Sequence, residues 1–422
     1  MPERSLGEWL QHLERIHPAE IDLGLSRTAR VARALDLLPY PLTVLTVAGT
    51  NGKGSVVACS DAILRAHGLR TGRYTSPHLH EFNERIVIDG RPAASEAIVE
   101  AFVAIEAARG DITLTYFEFA TLAALWLFRR EAVEVAILEV GLGGRLDAVN
   151  IVDCDIAVIT CIDIDHQHWL GDTVEQIAPE KAAVARSGRP VVLAESSYPR
   201  TLFATLAAIG ATPLRAGDHW SWRPAGTGVA VALDGTRDPV RVPVPPGLLP
   251  VNVAAAVRAC AFLLRERFDR AAAAAALGTL VIPGRRQLLR YEGREVLFDV
   301  AHNEGAMRAL VAFLQELPAA RTVAALGAMR DKDLASMAAC LARIVDGACA
   351  VAIPGVARAA EPETVWQALD DEGIAIAQDD FTFEAVWQLL LGRSAPGDRL
   401  VICGSFHTVA GILALLPLEL RA

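Results

Sequence analysis

Cysteine is scarce in this chain: seven residues, at 59, 154, 161, 260, 340, 349 and 403, with no CxxC spacing. An odd count set mostly in apolar runs excludes a disulfide scaffold and fits reduced, buried thiols of a cytosolic protein. No uninterrupted apolar run approaches the ~18 residues of a membrane helix. The mean hydropathy of +0.32 comes instead from alanine and valine spread along the chain. The first residues, MPERSLGEWLQHLERIHP, lack an apolar signal core, so a cytoplasmic location is expected. Basic residues are the minority: 40 Lys+Arg against 50 Asp+Glu give a net charge of −10. That balance argues against a nucleic-acid binder, whose footprint is basic, but leaves anionic small substrates open. With 52% hydrophobic residues the chain is not disordered. No repeat, no low-complexity tract beyond alanine-rich helices such as Ala271–Leu277, and no defined apolar patch is evident, so a monomer without membrane or nucleic-acid partners is expected.

What is present is an alternation of short β-branched runs and longer helical patterns. At about 150 residues per domain, 422 residues suggest two or three domains. Thr43–Ala48, Val135–Val140 and Ile156–Ile162 read as buried strands, and Ser55–His67 and Ala120–Arg130 as helices. This is an α/β fold with a mostly parallel sheet. Trp220–Pro246 is turn-rich and reads as a small antiparallel section. Helical patterns resume over Val251–Leu277. Pro283-Gly284 then punctuates the chain before a second α/β unit, with strands EVLFDV, TVAALG, CAVAI and LVICGS. The expected division is 1–283, a linker at 284–291, and 292–422.

The strongest local signal is Gly49-Thr50-Asn51-Gly52-Lys53-Gly54-Ser55 between a strand and a helix. Glycines let backbone N–H groups converge on phosphate oxygens, and the helix N-terminus adds unpaired donors and a favourable dipole. Lys53 supplies a mobile positive charge. The loop departs from GxxxxGK[ST], because Gly49 stands too close to Lys53 and the hydroxyl arrives one residue late, at Ser55. Other residues are ambiguous by themselves. Glu139 ends a buried strand, where a carboxylate either caps a loop or binds a hard cation. His166 beside Asp165 reads as a hydrogen-bonded loop residue or a ligand, and no further His/Cys cluster supports zinc. Lys181 in PEKAAVAR reads alone as a solvated lysine, and His302 as a cap for a helix starting near Glu304.

GTNGKGS resembles the variant phosphate loop of the Mur-ligase and folylpolyglutamate synthase superfamily. Further stretches carry the same resemblance: YTSPHL at Tyr74–Leu79, FNER at Phe82–Arg85, LTYFE at Leu114–Glu118 and LEVGLGGRLDAVN at Leu138–Asn150. So do Asp165-His166, Glu180-Lys181-Ala182, Pro283-Gly284-Arg285, FDVAHN at Phe298–Asn303 and CGSFH at Cys403–His407. Their order and spacing, from about residue 9 to 411, identify the chain with the bacterial bifunctional dihydrofolate synthase/folylpolyglutamate synthase branch. The resemblance implies an N-terminal P-loop-type parallel-sheet ATPase domain and a smaller C-terminal Rossmann-like domain.

It also implies residue roles. Thr50, Asn51, Gly52, Lys53, Gly54, Ser55, Asn252, Arg285 and Asp299 match ATP-binding positions. Ser76, Glu139 and His166 match magnesium ligands. Two Mg²⁺ ions are implied, the second held with a CO₂-derived carbamate on Lys181. Asp22, Leu23, Gly24, Leu25, Thr115, Leu146, Asp147 and Ala148 match pterin or folate positions, and His302 and Ser405 the glutamate site. Lys53, Lys181 and His302 are the implied catalytic residues. Arg286 stands where the family pattern has an apolar residue.

The implied activity is ATP-dependent carboxylate–amine ligation in folate biosynthesis (EC 6.3.2). L-Glutamate is added to dihydropteroate and to the terminal glutamate of reduced folates, through an acyl phosphate. The runner-up is a Mur-type ligase adding an amino acid to a UDP-linked peptidoglycan precursor.

Overall fold

The computed structural model describes residues 4–233 and 238–420. The chain forms two compact units, Met1–Leu280 and Val281–Ala422. No described helix is long and apolar enough to cross a membrane.

The first unit is built on eight strands: β1 (Thr43–Ala48), β2 (Thr71–Tyr74), β3 (Ile86–Ile88), β4 (Arg91–Pro92), β5 (Val135–Glu139), β6 (Ile156–Ile159), β7 (Pro190–Leu193) and β8 (Thr212–Arg215). Their order is β4-β3-β2-β5-β1-β6-β7-β8. From β2 to β8 along this order every pairing is parallel, and only the edge pairings β2–β3 and β3–β4 are antiparallel. β1 lies between β5 and β6, with Val47 opposite Glu139 and Ala48 opposite Ile159. The loops leaving β1, β2, β5 and β6 therefore emerge at one carboxyl edge, where open α/β sheets bind ligands.

β1 and β5 are apolar and buried almost throughout because helices cover both faces of a parallel sheet. The helix Lys53–Ala66 packs on the sheet and against the helices Pro250–Leu264 and Arg270–Gly278. Every residue from Ser55 to Leu64 in it is buried. The helical patterns expected over Val251–Leu277 form two α-helices, Pro250–Leu264 and Arg270–Gly278. The chain turns out of the first at Arg265, φ 50°, and Asp269 caps the second through the N–H groups of Ala271 and Ala272. The antiparallel section at Trp220–Pro246 is a three-stranded sheet of β9 (Ser221–Ala225), β10 (Gly228–Ala232) and β11 (Val240–Pro243).

The second unit holds β12 (Gln287–Tyr291), β13 (Arg294–Phe298), β14 (Thr322–Leu326), β15 (Gly347–Ala350) and β16 (Arg399–Cys403), in the order β12-β13-β16-β14-β15. Residues 284–291 are not a linker. Gln287–Tyr291 pairs antiparallel with β13, and the division falls at 280/281. Glu292 and Gly293, both at positive φ (48° and 77°), close a two-residue hairpin between them. The Gln287 side chain fastens the strand's start by accepting the Gly284 N–H at 3.0 Å.

Candidate active site

The phosphate loop is a shaped turn with its own internal bonds. Thr50 N–H donates to the Cys161 carbonyl at 2.9 Å, and Thr50 Oγ1 donates to the Asp163 carbonyl at 3.0 Å. Thr160 Oγ1 donates to the Asn51 carbonyl at 2.6 Å. The loop after β6 thus braces the loop after β1. Gly49 (φ 149°) and Gly52 (φ 85°) are required residues. A Cβ at Gly49 would lie 1.7 Å from Thr160 Oγ1, and one at Gly52 would lie 2.4 Å from Asn252 Nδ2. The second contact places Asn252, buried on the helix Pro250–Leu264, against the loop.

The chain has only three lysines against 37 arginines, and two of the three meet here. Lys53 Nζ donates to the carbonyls of Gly49 (3.0 Å) and Thr50 (3.1 Å), and Lys181 Nζ donates to the same Gly49 carbonyl at 3.1 Å. Lys181 is buried, not solvated, at 4% exposure. Burial, reinforced by repulsion from Lys53, pushes its pKa down to about 7. A good share of this amine is therefore neutral and nucleophilic near neutral pH. Asp147 is the acidic counterpart. Burial pushes its pKa up to about 6, against the N–H groups of Leu142 and Val149, which donate to it at 2.8 and 3.0 Å.

Glu139, at the end of β5 and 5% exposed, accepts the Ser76 N–H through Oε2 at 3.3 Å. A Cβ on Gly54 would stand 3.6 Å from the same oxygen. Ser76, Glu139 and the phosphate-loop helix thus adjoin. Glu84 fixes the loop carrying Ser76 by accepting the N–H groups of Leu79, His80 and Glu81 at 2.7 to 2.8 Å. His166 follows β6 in the left-handed conformation (φ 53°), with Nε2 4.0 Å from Asp165 Oδ1. Such backbone strain in a non-glycine residue is the kind that collects at functional sites. Among the described residues no three His, Cys, Asp or Glu side chains gather as a self-sufficient metal cage. One buried carboxylate beside a serine suits Mg²⁺, which takes one or two protein groups and completes its shell with phosphate and water oxygens.

The expected pterin positions share a neighbourhood. Thr115 caps the helix Tyr116–Arg130 in a reciprocal box with Glu118. Phe117 lies against Gly141 in the loop that leads to Leu146, Asp147 and Ala148, since a Cβ there would be 2.6 Å from the Phe117 ring. Asp22 joins this region through Arg27, which donates to Asp22 Oδ2 at 2.6 Å and to Glu118 Oε1 at 3.1 Å. Leu23, Gly24 and Leu25 follow Asp22 without helix or strand. Arg27 and Thr160 escaped the sequence reading. Glu118 was within reach of it, because T-x-x-E before an apolar run signals a capping box.

In the second unit, Asp299 is buried just past β13 and accepts the N–H groups of Arg286 (3.0 Å) and Ala301 (2.7 Å). Burial raises its pKa, opposed chiefly by Arg285 and Arg286. The Arg285 guanidinium stacks 5.3 Å from the Phe406 ring centroid. His302 Nδ1 lies 2.9 Å from the Val300 carbonyl and does not cap the following helix. Asn303 does, through the Ala306 N–H. Ser405 caps Phe406–Leu413 and shares a 2.7 Å bond with Thr408 Oγ1, which donates to the Gly327 carbonyl.

Residues 284–406 match the family described as Mur ligase, glutamate ligase domain. The chain is 39% identical over 413 residues to the dihydrofolate synthase/folylpolyglutamate synthase of Escherichia coli K12, covering 97% of this chain and 95% of that one. It is similar to the solved E. coli FolC in complex with DHPP and ADP, with TM-score 0.92, 38% identity and coverage of 98% and 99%. It is also similar to a bifunctional folylpolyglutamate synthase/dihydrofolate synthase with Mn, AMPPNP and L-glutamate bound, with TM-score 0.88, 40% identity and coverage of 97% and 98%.

Proposed function

Because the chain belongs to the dihydrofolate synthase/folylpolyglutamate synthase family, we propose that it joins L-glutamate to dihydropteroate and to reduced folates at the expense of ATP. The observation that carries the reading is the convergence, at one edge of the first unit's sheet, of a phosphate loop, Lys53, Lys181, Glu139 and Asp147. Near-full-length identity to the folate enzymes sets the peptidoglycan alternative aside.

The phosphates of ATP seat on the N–H groups of Thr50–Ser55, with Lys53 on the transferring group and Asn252 beside Gly52. A carboxylate oxygen of the acceptor attacks the γ-phosphorus. The bond to the bridging oxygen breaks, ADP leaves, and an acyl phosphate forms. The amine of L-glutamate then attacks the acyl carbon, phosphate departs, and the amine's proton passes to solvent. Catalysis is positioning and charge neutralisation, with no covalent intermediate between substrate and protein. Ser76, Glu139 and His166 are the residues that would hold Mg²⁺, which when bound neutralises phosphate charge. The neutral amine of Lys181 is suited to attack CO₂, forming a carbamate with loss of a proton. That converts a neutral amine into an oxygen-donor anion for a second Mg²⁺. Asp22–Leu25, Thr115 and Leu146–Ala148 form the acceptor side. Arg285 and Asp299 are assigned to the nucleotide, and His302 and Ser405 to glutamate.

The test is phosphate release from ATP by the purified protein with Mg²⁺, L-glutamate and either dihydropteroate or tetrahydrofolate, with products followed by mass spectrometry. Glutamate addition to both acceptors is expected. Addition to tetrahydrofolate alone removes the dihydrofolate synthase claim, and ATP turnover with neither acceptor extended overturns the substrate assignment.

A further inference from the structure

The segment Ile21–Gly24 has neither helix nor strand, yet it carries part of the proposed acceptor site. Its conformation is set by side chains from elsewhere. Arg27 takes hold of Asp22 twice, donating from Nη1 to Oδ2 at 2.6 Å and from Nη2 to the main-chain carbonyl at 2.8 Å. The same Nη2 reaches Glu118 Oε1 at 3.1 Å. Glu118 is 3% exposed. Its Oε1 also accepts Thr28 Oγ1 at 2.9 Å, while Oε2 accepts the Thr115 N–H at 2.8 Å. One buried carboxylate thereby ties together two stretches of chain about 90 residues apart.

We infer that Arg27 and Glu118 are a positioning pair that clamps Asp22–Leu25 against Thr115 and so sets the affinity for dihydropteroate; this rests on the acceptor site proposed above. Two features separate this role from plain stabilisation. Capping of the helix Tyr116–Arg130 uses Glu118 Oε2, which leaves Oε1 for the link to Arg27 and Thr28. The Asp22 side chain is 41% exposed, and a pair that open to water contributes little to folding. What the double grip on Asp22 does is remove conformational freedom from an irregular segment, an ordering that an arriving acceptor would otherwise have to supply. The first turn of the same helix also abuts the Gly141–Asp147 loop through Phe117, so a shift of the clamp is felt across the acceptor side.

The experiment is steady-state kinetics of the full chain with dihydropteroate, for Arg27→Ala, Arg27→Lys and Glu118→Gln. Glutamine keeps an oxygen for the Thr115 cap while removing the charge facing Arg27. For Arg27→Ala, KM for dihydropteroate is expected to rise about tenfold or more, with kcat within about threefold and KM for ATP within about twofold. Arg27→Lys recovers part of the loss. Glu118→Gln raises the same KM, and the double variant is no worse than Arg27→Ala alone, because both remove one coupled interaction. Folded variants whose KM for dihydropteroate stays within about twofold of the parent overturn the clamp, whatever their melting temperatures, and so does a parallel rise in KM for dihydropteroate and ATP. If Arg27→Ala does not fold, Arg27→Lys and Glu118→Gln decide the matter. A parent protein that adds no glutamate to dihydropteroate overturns the acceptor reading itself. An active parent with unchanged variants overturns the clamp alone.

Discussion

Lys181 and Gly49 lie 132 residues apart in the chain, yet the Lys181 Nζ donates to the Gly49 carbonyl at 3.1 Å. The bond draws a buried amine under the phosphate loop and couples its charge state to the loop's geometry. Its folded-state pKa, about 7, lies below the ordinary 10.5, so between those values the folded chain binds fewer protons than the unfolded one. This residue's contribution to stability therefore rises with pH from about 7 to 10.5, and at and below pH 7 its burial costs roughly 4 to 5 kcal/mol. Lys181→Met is expected to raise the melting temperature most at pH 6 and progressively less toward pH 9, while ligase activity falls more than about 100-fold. A melting temperature that drops at pH 6 would sink this account. Ligase activity of the parent is also expected to fall in CO₂-depleted buffer and return with bicarbonate.

Gly52→Ala forces a Cβ to within 2.4 Å of Asn252 Nδ2 at a φ of 85°. KM for ATP is expected to rise at least about tenfold. A Gly52→Ala variant with unaltered ATP dependence would show that the loop yields more easily than its packing implies.

Glu139→Gln keeps an oxygen for the Ser76 N–H and removes only charge. The Mg²⁺ concentration for half-maximal rate is expected to climb more than about tenfold, since hard cations depend on anionic oxygen. An unchanged Mg²⁺ titration would return Glu139 to a purely structural role.

Ser405 caps a helix through the Thr408 N–H at 3.0 Å. Ser405→Ala should cost about 1 kcal/mol in denaturant unfolding, and Ser405→Thr much less. In glutamate titrations, a raised KM for Ser405→Ala alongside a near-normal Ser405→Thr is expected. Lost stability with unchanged glutamate KM would assign the hydroxyl to capping alone.

The strands were legible where the physics is local. Thr43–Ala48 is a β-branched run bounded by glycine, and it forms β1 with those limits. The glycine turn that follows it, leading into the helix Lys53–Ala66, was legible for the same reason. Lys181 taken from its segment alone reads as solvated, yet Ile177, Ala178, Lys181 and Ala182 make up one buried stripe that helical spacing reveals. β12 was hidden because its hairpin places Glu292, a residue with no special liking for positive φ, where asparagine or glycine would have signalled a turn. The Arg27–Glu118 link had no local signature, since an ion pair across some 90 residues exists only once the fold has brought its partners together.

The helix behind the phosphate loop has ten successive buried residues, Ser55–Leu64, and so no face turned to water. Its amide protons should exchange with deuterium only when the first unit opens as a whole, at the slow end of the chain's range. Nucleotide then meets an anchor that is already fixed. Added ATP, which binds the folded unit and not the opened one, should slow exchange in this helix further, and its local footprint should fall on the first turn, Lys53–Ser55, and on the irregular loops around it.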